Sequence, residues 1–555
     1  MSAQIYQETK FANYREIVNH SAETFKDKAA FQLKVKGKES GYRYISFEAA
    51  RDIYYSLCAD FIDRGYKGKR IAVMGKNSCE WSLCYLAAST VGCVVPIDKE
   101  VSAEDAAAFM KSAECVAMFA DRKMIDAVRE QGYPADYHDF SFVWELDISV
   151  SPEKKAEIDA IELPKDECQV LIFTSGTTGS SKGVCLSQAA VCANIYSTVQ
   201  AVKITPKDKT LSLLPLHHTY ECTLNFLLLF SKGACITYCD GLTKIKKNLL
   251  EYQPTILVVV PVILNMLSKQ IKKGVAASCP KKYARLFEEH TLGYAMGHIP
   301  LPIRWVIKRS IRKQLGGQMR LFIVGAAAVE PHLIEDFDAI GIETLQGYGL
   351  TECAPLVAGN CDFYMNVNSA GKVMPGNEMK IDNPNEEGVG EIITRGENLM
   401  LGYYRDQEAT DAVMQDGWFR TGDLGYIDEE GWLYIRGRLK NVIVTSNGKN
   451  IYPEELEERL GNYSEIADAI VIAGKSRDGE TSVKAKIVAN LEELKEKFED
   501  LNVDDADAVK EKIKAIVDEV NEKIPVYKKI RIVEVVKELE KTTTAKIKRY
   551  GKNME

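Results

Sequence analysis

The strongest chemical signal in the sequence is a run of ten residues, Thr174-Ser175-Gly176-Thr177-Thr178-Gly179-Ser180-Ser181-Lys182-Gly183, placed directly after the apolar segment QVLIF. Its glycines let the backbone turn tightly and expose amides, its hydroxyls add donors, and Lys182 supplies a positive charge. That combination suits a polyphosphate. A Walker A loop needs Gly directly before its Lys and Ser or Thr after it. Here Ser181 precedes Lys182 and Gly183 follows, so that class is excluded. A plain Gly/Ser turn would have no use for the lysine.

Five more segments follow in order: LPLHHTYE at 214–221, LQGYGLTE at 345–352, WFRTGD at 418–423, GRLKNVIVTSNGKNIYPEELE at 437–457 and TTTAKIKR at 542–549. Together with the Gly/Ser loop they resemble the adenylate-forming superfamily of acyl-CoA synthetases, aryl-CoA ligases, luciferases and peptide-synthetase adenylation domains. The resemblance spans nearly the whole chain. It implies ATP-dependent activation of a carboxylic acid to acyl-AMP, then transfer of the acyl group to coenzyme A, with Mg2+ as the cofactor. In that reaction a carboxylate attacks the α-phosphorus of ATP, and both are anions. The site must therefore screen repulsion, hold an in-line attack and stabilise the charge on departing pyrophosphate.

The resemblance assigns roles residue by residue. Thr174, Ser175, Gly176, Thr177, Thr178, Gly179 and Lys182 would hold the phosphates. Glu352, with the Thr177 hydroxyl, would hold the metal, as expected for a hard cation with oxygen ligands. Tyr348 would lie against adenine, with Gln346, Gly347, Gly349 and Thr351 in the same segment. Gly325, Ala326 and Ala327 would line the other side of the base, where the family more often has Gly-Gly-Ala or Gly-Glu-Pro. Asp423 would accept from the ribose hydroxyls, and Arg438 would reach the same sugar. His218 would stand near the acyl carboxylate; for His217 a surface position and a site position both remain open. Lys546 would bridge carboxylate and α-phosphate as the adenylation lysine, although Ala545 stands where the family has Gly. Lys440 would be the pivot of a mobile last domain, and Gly448 and Lys449 would border the coenzyme A channel.

Of the subgroups, the run IRKQLGGQMRLFIVGAAAVEPHLIEDFDAIGIETLQGYGLTECAP looks most like long-chain acyl-CoA synthetases. The implied acid is a medium- or long-chain fatty acid. Transfer to a carrier protein and activation of an aromatic acid are the alternatives. ECTLNFLLLF has no Asp to hold an α-amino group, which argues against an amino-acid substrate.

These residues need elements to position them. Ser46 is a helix cap before FEAARDIYYSLCADFIDRG, and RIAVMG, CVVPID and CVAMFAD read as strands alternating with the helices SCEWSLCYLAASTVG and EDAAAFMKSA. QVLIFT, ACITYC, TILVVVPVIL and RLFIVG repeat the strand pattern, with Ile256 to Leu264 read as one buried strand. Such alternation predicts parallel sheets covered by helices. Short glycine-punctuated strands from about 370 to 438 predict a β-rich subdomain. After that, strands (ADAIVIAG, SVKAKIVAN, IRIVEVV) and charged helices form a compact unit. The expected fold is α/β: a large N-terminal domain, 1–438, of stacked mixed β-sheets, and a small mobile α+β domain, 439–555.

Composition sets outer limits. The 555 residues exceed one ordinary core, and a net charge of −8 gives no general reason to expect nucleic acid as a partner. The 14 cysteines are scattered without any C-x-x-C, and with the seven histidines they form no ligand spacing. This reads as a cytoplasmic protein in a reduced compartment, with neither a disulfide framework nor a zinc site. The start MSAQIYQETKFANYRE has no apolar segment of the signal-peptide kind. Residues 303–315, IRWVIKRSIRKQL, form a basic amphipathic helix. Peripheral contact with an anionic membrane is one reading of it; an ordinary surface helix with one packed face is the simpler one.

Overall fold

The computed structural model describes residues 5–35, 41–174, 181–445, 449–475, 481–498, 500–541, 547–549 and 551–554. Among them, two large mixed sheets carry most of the chain. In one, five parallel strands run in the order Val170–Thr174, Cys93–Ile97, Arg70–Met74, Cys115–Ala120, Asp136–Asp139. Two antiparallel strands extend it, Lys182–Leu186 beside Val170–Thr174 and then Gly402–Tyr403. In the other sheet six parallel strands include Ile256–Val259, Leu321–Val324 and Glu343–Gly349, with antiparallel strands at both ends.

The helices between these strands form where the sequence supplies caps. Ser46 accepts from the amide of Ala49 and starts helix Phe47–Asp63; Ser78 accepts from Trp81 and starts helix Cys79–Val91. Such a cap contributes about 1 kcal/mol. Helix Cys79–Val91 is apolar on every side and buried along its length, between helix Phe47–Asp63 and its own sheet. Fully burying one of its Leu side chains contributes about 1.5–3 kcal/mol.

One expected strand is corrected. The run from Ile256 forms a strand only as far as Val259, and helix Pro261–Ser278 begins at Pro261. Proline lacks an N–H and has a fixed φ, which suits the first helical position and not a continuing ladder.

A smaller antiparallel sheet contains Asn377–Asp382, Gly390–Gly396, Trp418–Ile427 and Leu433–Arg438. Beyond it, strands Ile466–Lys475, Thr481–Ala489 and Ile530–Val536 pair into a three-stranded sheet. Helices Pro453–Gly461 and Ala506–Glu522 cover that sheet with an apolar core of their own.

Candidate active site

The proposed nucleotide residues converge through strand register. Asp423 and Arg438 are direct partners in the antiparallel pairing of Trp418–Ile427 with Leu433–Arg438. Arg438 Nε forms an ion pair with Asp423 Oδ1 at 2.7 Å. The Tyr348 hydroxyl donates to Asp423 Oδ2, also at 2.7 Å, from strand Glu343–Gly349. Thr421 Oγ1 accepts the Asp423 amide at 3.0 Å. Burial, and then the Asp423 charge, push the Tyr348 phenol well above its ordinary pKa, so it remains a donor. A carboxylate offers about four lone-pair sites, the kind of acceptor that a pair of ribose hydroxyls requires.

Gly349 is held where no side chain fits: a Cβ there would stand 2.1 Å from the Pro355 carbonyl oxygen. Gln346 Nε2 donates to the Val367 carbonyl at 3.1 Å. Gly325 ends strand Leu321–Val324, and a Cβ on it would press on the Tyr220 ring at 3.1 Å. Ala326 adopts φ +68°, a left-handed backbone that favours glycine, and with Ala327 it is exposed. That geometry accounts for glycine in the commoner form of this turn.

At the phosphate end, Thr174 and Lys182 are paired residues of adjacent antiparallel strands, and Thr174 Oγ1 donates to the Lys182 carbonyl at 3.3 Å. The two ends of the Gly/Ser loop thus stand opposite each other. Ser175, Gly176, Thr177, Thr178 and Gly179 lie outside the described residues. Lys182 Nζ sits 4.5 Å from the Tyr403 ring centroid. The Tyr403 hydroxyl donates to Glu352 Oε1 at 3.0 Å. One tyrosine therefore spaces the cation from the carboxylate. Glu352 follows Thr351 in the 3-10 turn Thr351–Cys353.

His217 and His218 follow a loop clamped by Asn77. Asn77 Nδ2 donates to the Leu214 carbonyl at 2.6 Å, and its Oδ1 accepts the Leu216 amide at 3.1 Å. The two rings lie 3.9 Å apart. His217 is buried, 3.5 Å from Asp98 Oδ2. Burial, then His218, lower its pKa well below the ordinary value. The contact with Asp98 is therefore that of a neutral imidazole, not an ion pair.

Lys440 lies in the 3-10 turn that follows Arg438. Burial, then the charges of Arg438 and Arg549, lower its pKa to about 8. Arg549 donates to Glu457 Oε1 at 2.6 Å on helix Pro453–Gly461. Lys541 and Ile547 are bridged, and the residues between them, Lys546 included, lie outside the described residues, as does Gly448. Lys449 Nζ stands 5.1 Å from the Tyr527 ring centroid.

This geometry belongs to a chain that matches the AMP-binding enzyme family over residues 18–404 and the AMP-binding enzyme C-terminal domain over 440–552. The chain is an AMP-binding enzyme. It is 29% identical over 437 residues to a long-chain-fatty-acid–CoA ligase of Mycobacterium bovis, covering 73% of this chain and 71% of that one. It is 26% identical to a chloroplastic long-chain-fatty-acid–[acyl-carrier-protein] ligase of Arabidopsis thaliana, covering 77% and 69%. The ATP-bound MatB of Rhodopseudomonas palustris shares its fold, with a TM-score of 0.74 at 22% identity over 97% of both chains.

In this AMP-binding enzyme the donor set fits magnesium. Among the described residues no three acids, histidines or cysteines gather as a cage. Glu352 offers a single carboxylate, separated from Lys182 by Tyr403, and magnesium is ordinarily bound by one or two carboxylates together with phosphate oxygens and water. Thr177, its expected companion, falls outside the described residues.

Three polar residues escaped the sequence reading. Tyr403 lies in no motif; only the pairing of Gly402–Tyr403 with Lys182–Leu186 brings it to the site. Asn77 is a lone amide between a strand and a helix. Glu221 ends the LPLHHTYE segment and is fully buried. Its Oε1 accepts from Ser212 Oγ and Asn225 Nδ2, each at 2.6 Å. Burial raises its pKa to about 8.

Proposed function

We propose that this enzyme activates a medium- or long-chain fatty acid with ATP and transfers the acyl group to coenzyme A. The observation that carries the adenylation half is that one segment, LQGYGLTE, supplies a residue to each of two groups, Tyr348 to the first and Glu352 to the second. Asp423, Arg438 and Tyr348 form a sugar-and-base end, and Lys182, Tyr403 and Glu352 form a phosphate end. The likeness to the Mycobacterium bovis fatty-acid ligase supports the choice of acid and acceptor.

In the first half-reaction the acid's carboxylate oxygen attacks the α-phosphorus, forming the acyl–phosphate bond as the bond to pyrophosphate breaks. Lys182 offsets charge on the phosphates, and Asp423 with Arg438 fixes the ribose so that attack is in line. Glu352 would hold magnesium, which supplies screening of the phosphate charge. Lys546 would stabilise charge shared between carboxylate and α-phosphate. His218, at the clamped loop, would orient the acid. In the second half-reaction the thiol sulfur attacks the acyl carbonyl, its proton passes to solvent, and AMP leaves. Residues 439–555 would act as a lid pivoting at Lys440, and Gly448 and Lys449 would border the channel for the acceptor. Tyr348 would enclose the base from one side and Gly325, Ala326 and Ala327 from the other. The fourteen thiols, all unbridged, fit work in the cytoplasm.

ATP–pyrophosphate exchange across acids from acetate to long-chain, aromatic and amino acids tests this. Exchange is expected with medium- or long-chain fatty acids. No exchange with any acid would sink the adenylation reading; a preference for aromatic acids would sink only the choice of acid. The likeness to the Arabidopsis carrier-protein ligase favours one second reading, in which the acceptor is a carrier protein. Offering coenzyme A and a phosphopantetheinylated carrier side by side separates the two.

A further inference from the structure

Residues 242–316 carry fourteen Lys and Arg against three Glu, a net charge of +11 in a chain whose total is −8. Helices Ile245–Tyr252, Pro261–Ser278, Lys281–Glu289, Leu292–Gly297 and Leu301–Gln314 fall in this block and pack on one another. The same block holds seven of the eighteen large apolar side chains exposed among the described residues. Leu301 (72%), Val262 (70%), Trp305 (61%) and Val306 (59%) are among the most exposed of them. Excess positive charge and exposed apolar surface thus coincide, and an apolar cluster left in water marks an interaction surface.

Helix Leu301–Gln314 combines the two features. Ile303, Ile307 and Ile311 recur every fourth residue and turn into the core. Leu301, Trp305 and Arg309 recur at the same interval along the opposite side, with the Arg309 guanidinium 5.5 Å from the Trp305 ring centroid. The helix has five cations and no acid. Arg304 and Arg312 are spent on the carbonyls of Gly297 and Gly341, whereas Arg309 and Lys313 are exposed. Its packed face is what an ordinary surface helix would show; its outer face is not.

We infer that this face docks on the surface of a lipid bilayer bearing anionic headgroups. Arg309 and Lys313 meet the headgroups, while Leu301, Trp305 and Val306 enter the boundary with the acyl chains. Contact is interfacial, since no described helix is long and apolar enough to cross a membrane. A nucleic acid would satisfy the charges but leave Leu301, Val306 and Val262 in water. The inference stands apart from the choice of acid and acceptor.

Co-sedimentation of the full chain with vesicles tests it, using phosphatidylcholine alone and phosphatidylcholine with about a third phosphatidylglycerol. Binding to the anionic vesicles only is expected, weakened at high salt. The exposed-face variants L301S/W305S and R309E/K313E should each partition about tenfold less, with unchanged thermal unfolding and unchanged pyrophosphate exchange on a soluble acid. Three results would overturn the inference: no binding of the parent chain to anionic vesicles, equal binding of the variants, or tighter binding to an RNA or DNA oligonucleotide than to vesicles. Each would leave the exchange reaction, and so the proposed function, untouched.

Discussion

Asp423 meets a partner on each carboxylate oxygen, an ion pair on one and a hydrogen bond on the other, and the two partners have different jobs. Arg438 supplies charge and Tyr348 supplies placement. Asp423→Asn keeps the shape but removes the charge and one acceptor oxygen. We expect kcat/KM for ATP to fall about 10–100-fold with the fold intact, measured by pyrophosphate exchange. Lys546→Ala is expected to lower adenylation by about 10²–10³-fold while a supplied acyl-adenylate is still converted to thioester; equal loss of both half-reactions would contradict the proposed role. Glu221 makes a prediction about pH. Its folded pKa, about 8, lies above the ordinary carboxylate value, so the folded state keeps a proton that the unfolded state releases. Its stabilising effect is full at acid pH and is lost as pH rises through 8, at about 1.4 kcal/mol per pH unit across that window. Glu221→Gln should flatten the pH dependence of the melting temperature between about pH 5 and 8. An unchanged slope would show that the carboxyl is ionised throughout.

At the level of elements, what positions the site is close backbone approach and register. Gly349 packs against the Pro355 carbonyl, and the methyl of Gly349→Ala would have to displace it. A loss of about 1–3 kcal/mol is expected in chemical denaturation, with weaker ATP use because Tyr348 is the preceding residue. Local signals of this kind were readable in the sequence. Ser46 caps the helix it was expected to cap, and the strands Arg70–Met74 and Cys115–Ala120 fall where apolar runs placed them. The misreading at Pro261 has a local cause, since an apolar run cannot by itself separate a strand from a strand that turns into a helix. The motifs named Asp423, Arg438, Tyr348 and Glu352, which the structure brings into two linked groups. Tyr403 was invisible for another reason: its place depends on pairing with a strand far away in sequence, which no local pattern encodes. Asn77 and Glu221 were likewise hidden, because a buried polar network is defined by its partners rather than by spacing.

For the whole molecule, the proposed pivot stands two residues beyond a nucleotide-site residue. Lys440 lies in the turn Leu439–Asn441 and is crowded by Arg438 and Arg549, one from each side of the proposed pivot. Lys440→Pro would fix φ at this position. We expect it to keep one half-reaction and lose the other, measured by pyrophosphate exchange and by thioester formation from supplied acyl-adenylate. Retention of both would remove Lys440 from that role. The late pairing of Gly402–Tyr403 with Lys182–Leu186 bears on how the chain is made as well as on how it works. While a ribosome adds the intervening residues, at about 5–20 per second, the strand leaving the Gly/Ser loop stays an open sheet edge for on the order of ten seconds or more. The nascent enzyme therefore passes through a stage in which its phosphate-loop strand is also an unpaired sheet border, closed only when Tyr403 has emerged.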